Sequence, residues 1–128
     1  MTWLAVALGA AVGAPLRYLV NRVVHDHVVS TRPLGFPWAT LTVNLLGSAL
    51  LGWVMAAAGH GVLGAVWVAL LGAGFAGGFT TFSTFSWETD SLVDEGARGL
   101  AVTNVVASVV GCVVVAGLTW WVTANVVS

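Results

Sequence analysis

Residues 74–88 read GFAGGFTTFSTFSWE, a run of small and hydroxylated side chains inside the third of four long apolar segments. Gly77 and Gly78 are followed by Thr80, Thr81, Ser83, Thr84 and Ser86, with Phe79, Phe82 and Phe85 between them. Gly costs roughly 1 kcal/mol relative to Ala in a helix interior, and Ser and Thr hydroxyls offer the backbone other partners. Interrupted, polar backbone at membrane depth is tolerated only where protein surrounds it or where it lines a water-filled path. The stretch therefore predicts a third span that breaks near Gly77–Thr81 into two half-helices and lines a pathway through a membrane.

The composition around it agrees. The chain has 128 residues, 59% of them hydrophobic and 7% charged, with a mean hydropathy of +0.98. Soluble domains average about 25% charged residues, so a water-facing shell cannot be built from this chain. We read residues 1–128 as a single all-α transmembrane subunit. Net charge is −1 and there is no Lys, which leaves no basic patch for nucleic acid. The lone Cys112 sits in an apolar run and reads as a packing residue. Residues 1–16 carry no charged side chain. A signal peptide wants a basic start, so this segment is expected to be a true first span.

Four spans are expected, over residues 3–24, 38–58, 62–89 and 97–122. The first, roughly 22 residues at about 1.5 Å each, crosses about 33 Å. Gly9 and Gly13 form a G-x-x-x-G, which permits close helix approach. Pro15 and Arg17 then interrupt the apolar pattern. An intramembrane Arg costs roughly 2.5–3.5 kcal/mol on insertion scales, so it needs a partner or water. Arg17 is either a snorkelling side chain or a cation lining an aqueous vestibule. In the connection 25–37, His25, Asp26 and His27 are adjacent and converge poorly on one metal ion. On the second span Thr40, Asn44 and Ser48 recur at i, i+4 and i+8, one helical face. The short Gly59–Gly61 connection makes spans two and three antiparallel neighbours. Phe82, Phe85 and Glu88 follow one row after the break. Residues 90–96 are expected to end the third span in water. On the fourth span Asn104, Ser108 and Gly111 form a polar stripe. Trp38, Trp120 and Trp121 suit the membrane interfaces.

No nucleophile–base pair, paired-carboxylate site or phosphate loop is visible, so no enzyme is expected. Three spans contribute uncharged N–H and O–H donors, a set that suits a small hydrogen-bond-accepting anion. A half-helix starting near residue 80 would aim its positive dipole end at the membrane interior. Phe ring edges are electropositive and contact an anion without a fixed charge. A fixed charge at 4 Å is worth about 4 kcal/mol at an effective dielectric of 20 and would trap the ion, whereas conduction needs weaker binding. Four spans are few to enclose a pore, so a dimer is expected. Gly9/Gly13, Ser48/Gly52 and Gly111 are expected to let subunits pack closely.

Residues 76–88 (AGGFTTFSTFSWE), 37–47 (PWATLTVNLLG) and 13–18 (GAPLRY) resemble the bacterial fluoride channels, the CrcB/Fluc family. The resemblance covers the chain in length and span count. It implies a multi-pass protein of the bacterial cell (inner) membrane. This would be an antiparallel, dual-topology dimer that passively exports fluoride from the cytoplasm and so reduces fluoride toxicity. It also implies a structural sodium ion, not transported, held by the main-chain carbonyls of Gly77 and Thr80 from each subunit. Carried over residue by residue, the fluoride path would include Asn44, Thr81, Phe82, Ser83, Thr84, Phe85 and, on weaker motifs, Ser108. Arg17 would stand in the vestibule. Glu88 matches the family's acid beyond the Phe pair, with no role derivable from sequence. The expected partner is a second copy in a homodimer. Arg22, Arg32 and Arg98, with Arg17, all fall toward one side, and this bias leaves a heterodimer with a paralogue as the alternative. The competing function is a small dual-topology multidrug or cation exchanger, which would need a membrane-embedded carboxylate.

Overall fold

The computed structural model describes residues 1–26 and 35–127, and all regular structure among them is helical. His27, Arg32 and Pro33 lie outside the described residues. We number the helices α1 (Thr2–Val24), α2 (Trp38–Gly59), α3 (residues 65–79), α4 (Ser83–Asp94) and α5 (Arg98–Val127). α3 and α4 are the two halves of one span, Ala65–Asp94, and all four spans are long and apolar enough to cross a membrane.

α1 lies against α3 with almost no side chain between them. A Cβ on Gly9 or Gly13 would strike the main-chain oxygens of Leu70 and Phe75. From the other side, a Cβ on Gly74 would lie 2.6 Å from the Val6 oxygen, and one on Gly78 2.9 Å from the Ala10 Cα. The two helices run parallel, since Val6 meets Gly74, Ala10 meets Gly78 and Arg17 meets Thr80. Where this contact is tightest, Ala69–Ala76 is wound as a π-helix. That wider turn is uncommon and is found disproportionately at functional sites; here it stands directly ahead of the break.

α2 packs along α5 in the same manner. A Cβ on Gly52 would meet the Ala116 carbonyl, and one on Gly111 would lie 3.1 Å from Leu45 Cδ2. Val43 and Val54 on α2 are fully buried, and Val54 Cγ1 faces Gly72 of α3. The small residues expected to serve contact between subunits are thus mostly used within one chain. Gly9, Gly13, Gly52 and Gly111 are consumed by helix contacts inside the subunit, because four thin helices can bury backbone only by approaching this closely. Ser48 alone of that set borders open space.

The break falls where it is expected, near Gly77–Thr81. Helix persists through Phe79, and the chain becomes extended at Thr80 (φ −82°, ψ 164°) before α4 starts at Ser83. Gly77 and Gly78 keep ordinary helical backbone: Gly77 has φ −63° and ψ −40°, and neither glycine has a positive φ. Gly78 is small because Ala10 presses on it. The third span also runs past residue 89 to Asp94 rather than dissolving over 90–96, because Leu92 is buried and anchors its last turns. The fourth span continues past residue 122 to Val127. Two matching turns close the helices. Gly61 (φ 74°) follows α2, with Gly61 N–H on Ala58 O and Val62 N–H on Ala57 O. Gly96 (φ 78°) follows α4, with Gly96 N–H on Val93 O and Ala97 N–H on Leu92 O. Both are Schellman caps, which need the left-handed residue that glycine supplies without strain.

Connectivity sends the ends of α1 and α4 and the starts of α2 and α5 to the same end of the bundle. Arg17, Arg22, Asp26, Glu88, Asp90, Asp94, Glu95 and Arg98 all lie toward it, and among the described residues the opposite end carries no Arg, Asp or Glu.

Candidate functional site: the break in the third span

Asn44, on α2, organises the break. Its Nδ2 donates to the Thr81 carbonyl at 3.0 Å, and its Oδ1 accepts the Thr81 N–H at 2.9 Å. One side-chain amide thus satisfies both main-chain groups of Thr81, which the helix has released. The Thr81 hydroxyl accepts the Thr84 N–H (3.2 Å), one of the donors left over at the start of α4, and donates to the Thr84 hydroxyl (3.0 Å). Ser83 Oγ lies 3.4 Å from the same oxygen. The helix rule pairs the carbonyl of residue i with the N–H of i+4. Thr81 and Thr84 have given their N–H groups to side chains, so the carbonyls of Gly77 and Thr80 have lost their helical donors. These two oxygens are the ones the resemblance assigns to sodium. As hard, uncharged ligands freed from the ladder, they fit that ion. The Thr80 oxygen also accepts Arg17 Nη1 at 2.9 Å.

Along one side of the break runs a trough of about 980 Å³. Asn44, Ser48, Gly77, Thr80, Thr81, Phe82, Phe85, Ser108 and Cys112 line it, together with apolar residues such as Leu51, Met55 and Val109. Gly77 faces open space, with no heavy atom within 4 Å of where its Cβ would be. Phe82 is 79% exposed. Its ring centroid is 5.7 Å from that of Phe85, and the planes are inclined at 45°. The fold therefore gathers Asn44, Gly77, Thr80, Thr81, Phe82, Phe85 and Ser108 on one wall. Ser83 and Thr84 are tied to it through the Thr81 hydroxyl. Arg17 does not line the trough; it reaches the break from α1.

A second polar row extends from the site toward the charged end. Thr40 donates to Glu88 Oε1 at 2.8 Å, while Glu88 Oε2 is buried without a partner. Thr89 donates to the Phe85 carbonyl (2.7 Å) and accepts from Asn104 Nδ2 (2.9 Å). Ser108 Oγ lies 3.5 Å from Asn104 Oδ1. Asn104 is fully buried. Sequence reasoning placed Thr40, Asn104 and Ser108 on polar stripes but missed Thr89 and the Thr40–Glu88 bond. The available signal for that bond was Thr40's place one turn before Asn44, on the face that meets the third span. His25 and Asp26 are exposed at the end of α1, where Asp26 pairs with Arg22 at 4.0 Å.

This geometry has relatives. The family model described as CrcB-like protein, Camphor Resistance (CrcB), matches residues 4–120. A protein of Frankia casuarinae, named fluoride-specific ion channel FluC 1, is 51% identical over 118 residues, covering 85% of each chain. A protein of the same name from Nocardia farcinica is 49% identical over 122 residues, covering 92% of this chain and 80% of its own. The fluoride-specific ion channel FluC of Geobacter sulfurreducens is 45% identical over 114 residues, covering 88% and 89%. A multi-pass membrane protein with four spans and a broken third, this chain belongs to the CrcB-like family.

Proposed function

We propose that the chain forms a fluoride-specific channel that lets fluoride leave the cytoplasm passively, and that the path runs along the wall of the broken span. The observation carrying this reading is that uncharged donors and a pair of Phe rings line the trough, with no acidic side chain among its lining residues. Fluoride is small and strongly hydrated, so a path must replace its water with N–H and O–H donors. Asn44 keeps a second amide N–H beyond the one spent on Thr81, and Ser83, Thr84 and Ser108 offer hydroxyls. Phe82 and Phe85 add ring edges, which attract an anion without fixing a charge beside it. α4 starts at Ser83, so its positive end faces this wall. Exchange of organic cations for protons would need a carboxylate facing the cargo. Glu88 is instead held by Thr40 and is not among the trough's lining residues.

The trough exposes Gly77, Phe82 and Ser48 on one face, and a second subunit in antiparallel orientation would cover them. The Gly77 and Thr80 carbonyls would hold the sodium ion at that contact. When bound, the ion supplies positive charge to the carbonyl ends of the broken helix. A second copy is the economical occupant. A paralogue of opposite orientation is a second reading, favoured by the gathering of every described Arg at one end.

Reconstitution of the chain alone into liposomes tests the proposal. We expect fluoride efflux with chloride excluded. Efflux only after a paralogue is added would select the second reading, and no efflux in either case would overturn the function.

A further inference from the structure

The Thr80 carbonyl has two claimants, Arg17 in the structure and the sodium ion in the proposed function. Gly9, Gly13 and Arg17 follow one another at i, i+4 and i+8 on α1, so the glycine contact that presses α1 onto α3 delivers Arg17 to the point where α3 ends. The guanidinium is half-buried, and among the described residues it forms no ion pair and makes one hydrogen bond, to the Thr80 oxygen. That oxygen stands at the C-terminus of α3, the negative end of the helix dipole, where a cation is favoured. A carbonyl has two lone pairs, so it can serve both claimants at once.

We propose that Arg17 is a resident cation of the break, sharing the Thr80 carbonyl with sodium and lowering the affinity for sodium there. This rests on the reading of Gly77 and Thr80 as sodium ligands. Two opposing effects must be weighed. Arg17 orients the carbonyl, which helps sodium, and it brings a positive charge within a few ångströms of the ion, which opposes it. The orienting effect is the smaller because Asn44 already holds the Thr80–Thr81 peptide through the Thr81 N–H and the following peptide through the Thr81 carbonyl, and the Thr80 hydroxyl is separately bonded to the Ala76 carbonyl at 2.9 Å. The carbonyl therefore keeps its place without Arg17. The charge has no such substitute, and charge pairs this close interact strongly even at a partly wet site.

The test titrates sodium against potassium at constant ionic strength and reads the melting temperature of the purified native protein, R17Q and R17K. For R17Q we expect a lower melting temperature without sodium and a sodium midpoint at least about tenfold below the native one. R17K keeps the charge and loses only the planar fork, so its midpoint should stay within about threefold of native. An R17Q midpoint that is unchanged or raised, with the native protein responding to sodium, overturns the proposal and leaves the sodium reading intact. Melting that ignores sodium in all three proteins overturns both. An R17Q protein that survives purification only in sodium meets the expectation. If R17Q fails in either medium, R17K decides, and a tenfold weakening there overturns the proposal.

Discussion

Asn44 holds both main-chain groups of Thr81 with the two ends of its amide, which gives its substitutions distinct signatures. Asn44→Ala removes both bonds to Thr81 and leaves a part-buried N–H and C=O unpaired, at a cost of about 1–3 kcal/mol. We expect a lower melting temperature and slower fluoride efflux. Asn44→Asp keeps the acceptor for the Thr81 N–H, loses the donor and adds negative charge beside an anion path. Its efflux should fall further than its stability does, and an unaffected rate would take Asn44 off the path. The Phe pair separates fold from flux differently. Phe82 is mostly exposed in the subunit, so Phe82→Ile should change subunit stability by no more than about 0.5 kcal/mol. Fluoride efflux should nevertheless drop in Phe82→Ile and in Phe85→Ile, and unchanged efflux in both would remove the ring-edge role. Asn44 was legible in the sequence because an intramembrane amide in line with two hydroxyls needs a partner. Its attachment to the peptide of Thr81 was not, because that depends on which turn of α2 faces the break.

The helices show where sequence periodicity runs out. Four apolar segments and their approximate ends were readable, and so was an interruption in the third. The site of the break, near Gly77–Thr81, was readable to within a turn; its cause was not, because Gly77 and Gly78 look responsible. Gly78 serves the packing of α1, Gly77 faces open space, and the chain departs from helix three residues later, where Asn44 and Thr81 supply other partners. Likewise, a G-x-x-x-G motif cannot say whether it faces its own chain or a second one. Substitution can. Gly74→Ala would place a methyl 2.6 Å from the Val6 oxygen with only backbone to yield, so we expect a loss of about 1–3 kcal/mol or more. Gly117, exposed on α5 with nothing within 4 Å, is the matched control, and Gly117→Ala should be neutral or stabilising by up to about 1 kcal/mol. Thermal loss of the monodisperse peak in detergent reads both. Equal effects would mean that the α1–α3 contact is looser than the geometry says.

At the scale of the molecule, the charge distribution makes the sharpest demand. Arg17, Arg22 and Arg98 lie toward one end, and the sequence adds Arg32 in the connection between α1 and α2, against none at the other end. Counting Arg near span ends, as the positive-inside rule does, places the α4–α5 turn in the cytoplasm and the α2–α3 turn outside. An antiparallel homodimer needs both orientations in equal number. Single cysteines in a Cys112→Ala background, at the exposed positions His60 and Glu95, distinguish the cases through labelling of intact cells with a membrane-impermeant maleimide. We expect His60→Cys to be labelled in most copies and Glu95→Cys in a minority. The minority orientation would then limit how much functional dimer the chain forms alone, and co-expression with a paralogue of opposite Arg bias should raise the fluoride efflux recovered per copy. Equal labelling at the two positions would show that four arginines do not fix the orientation of this chain. The homodimer would then need no second gene, and the trough beside Gly77 and Phe82 would be covered by the same surface turned over.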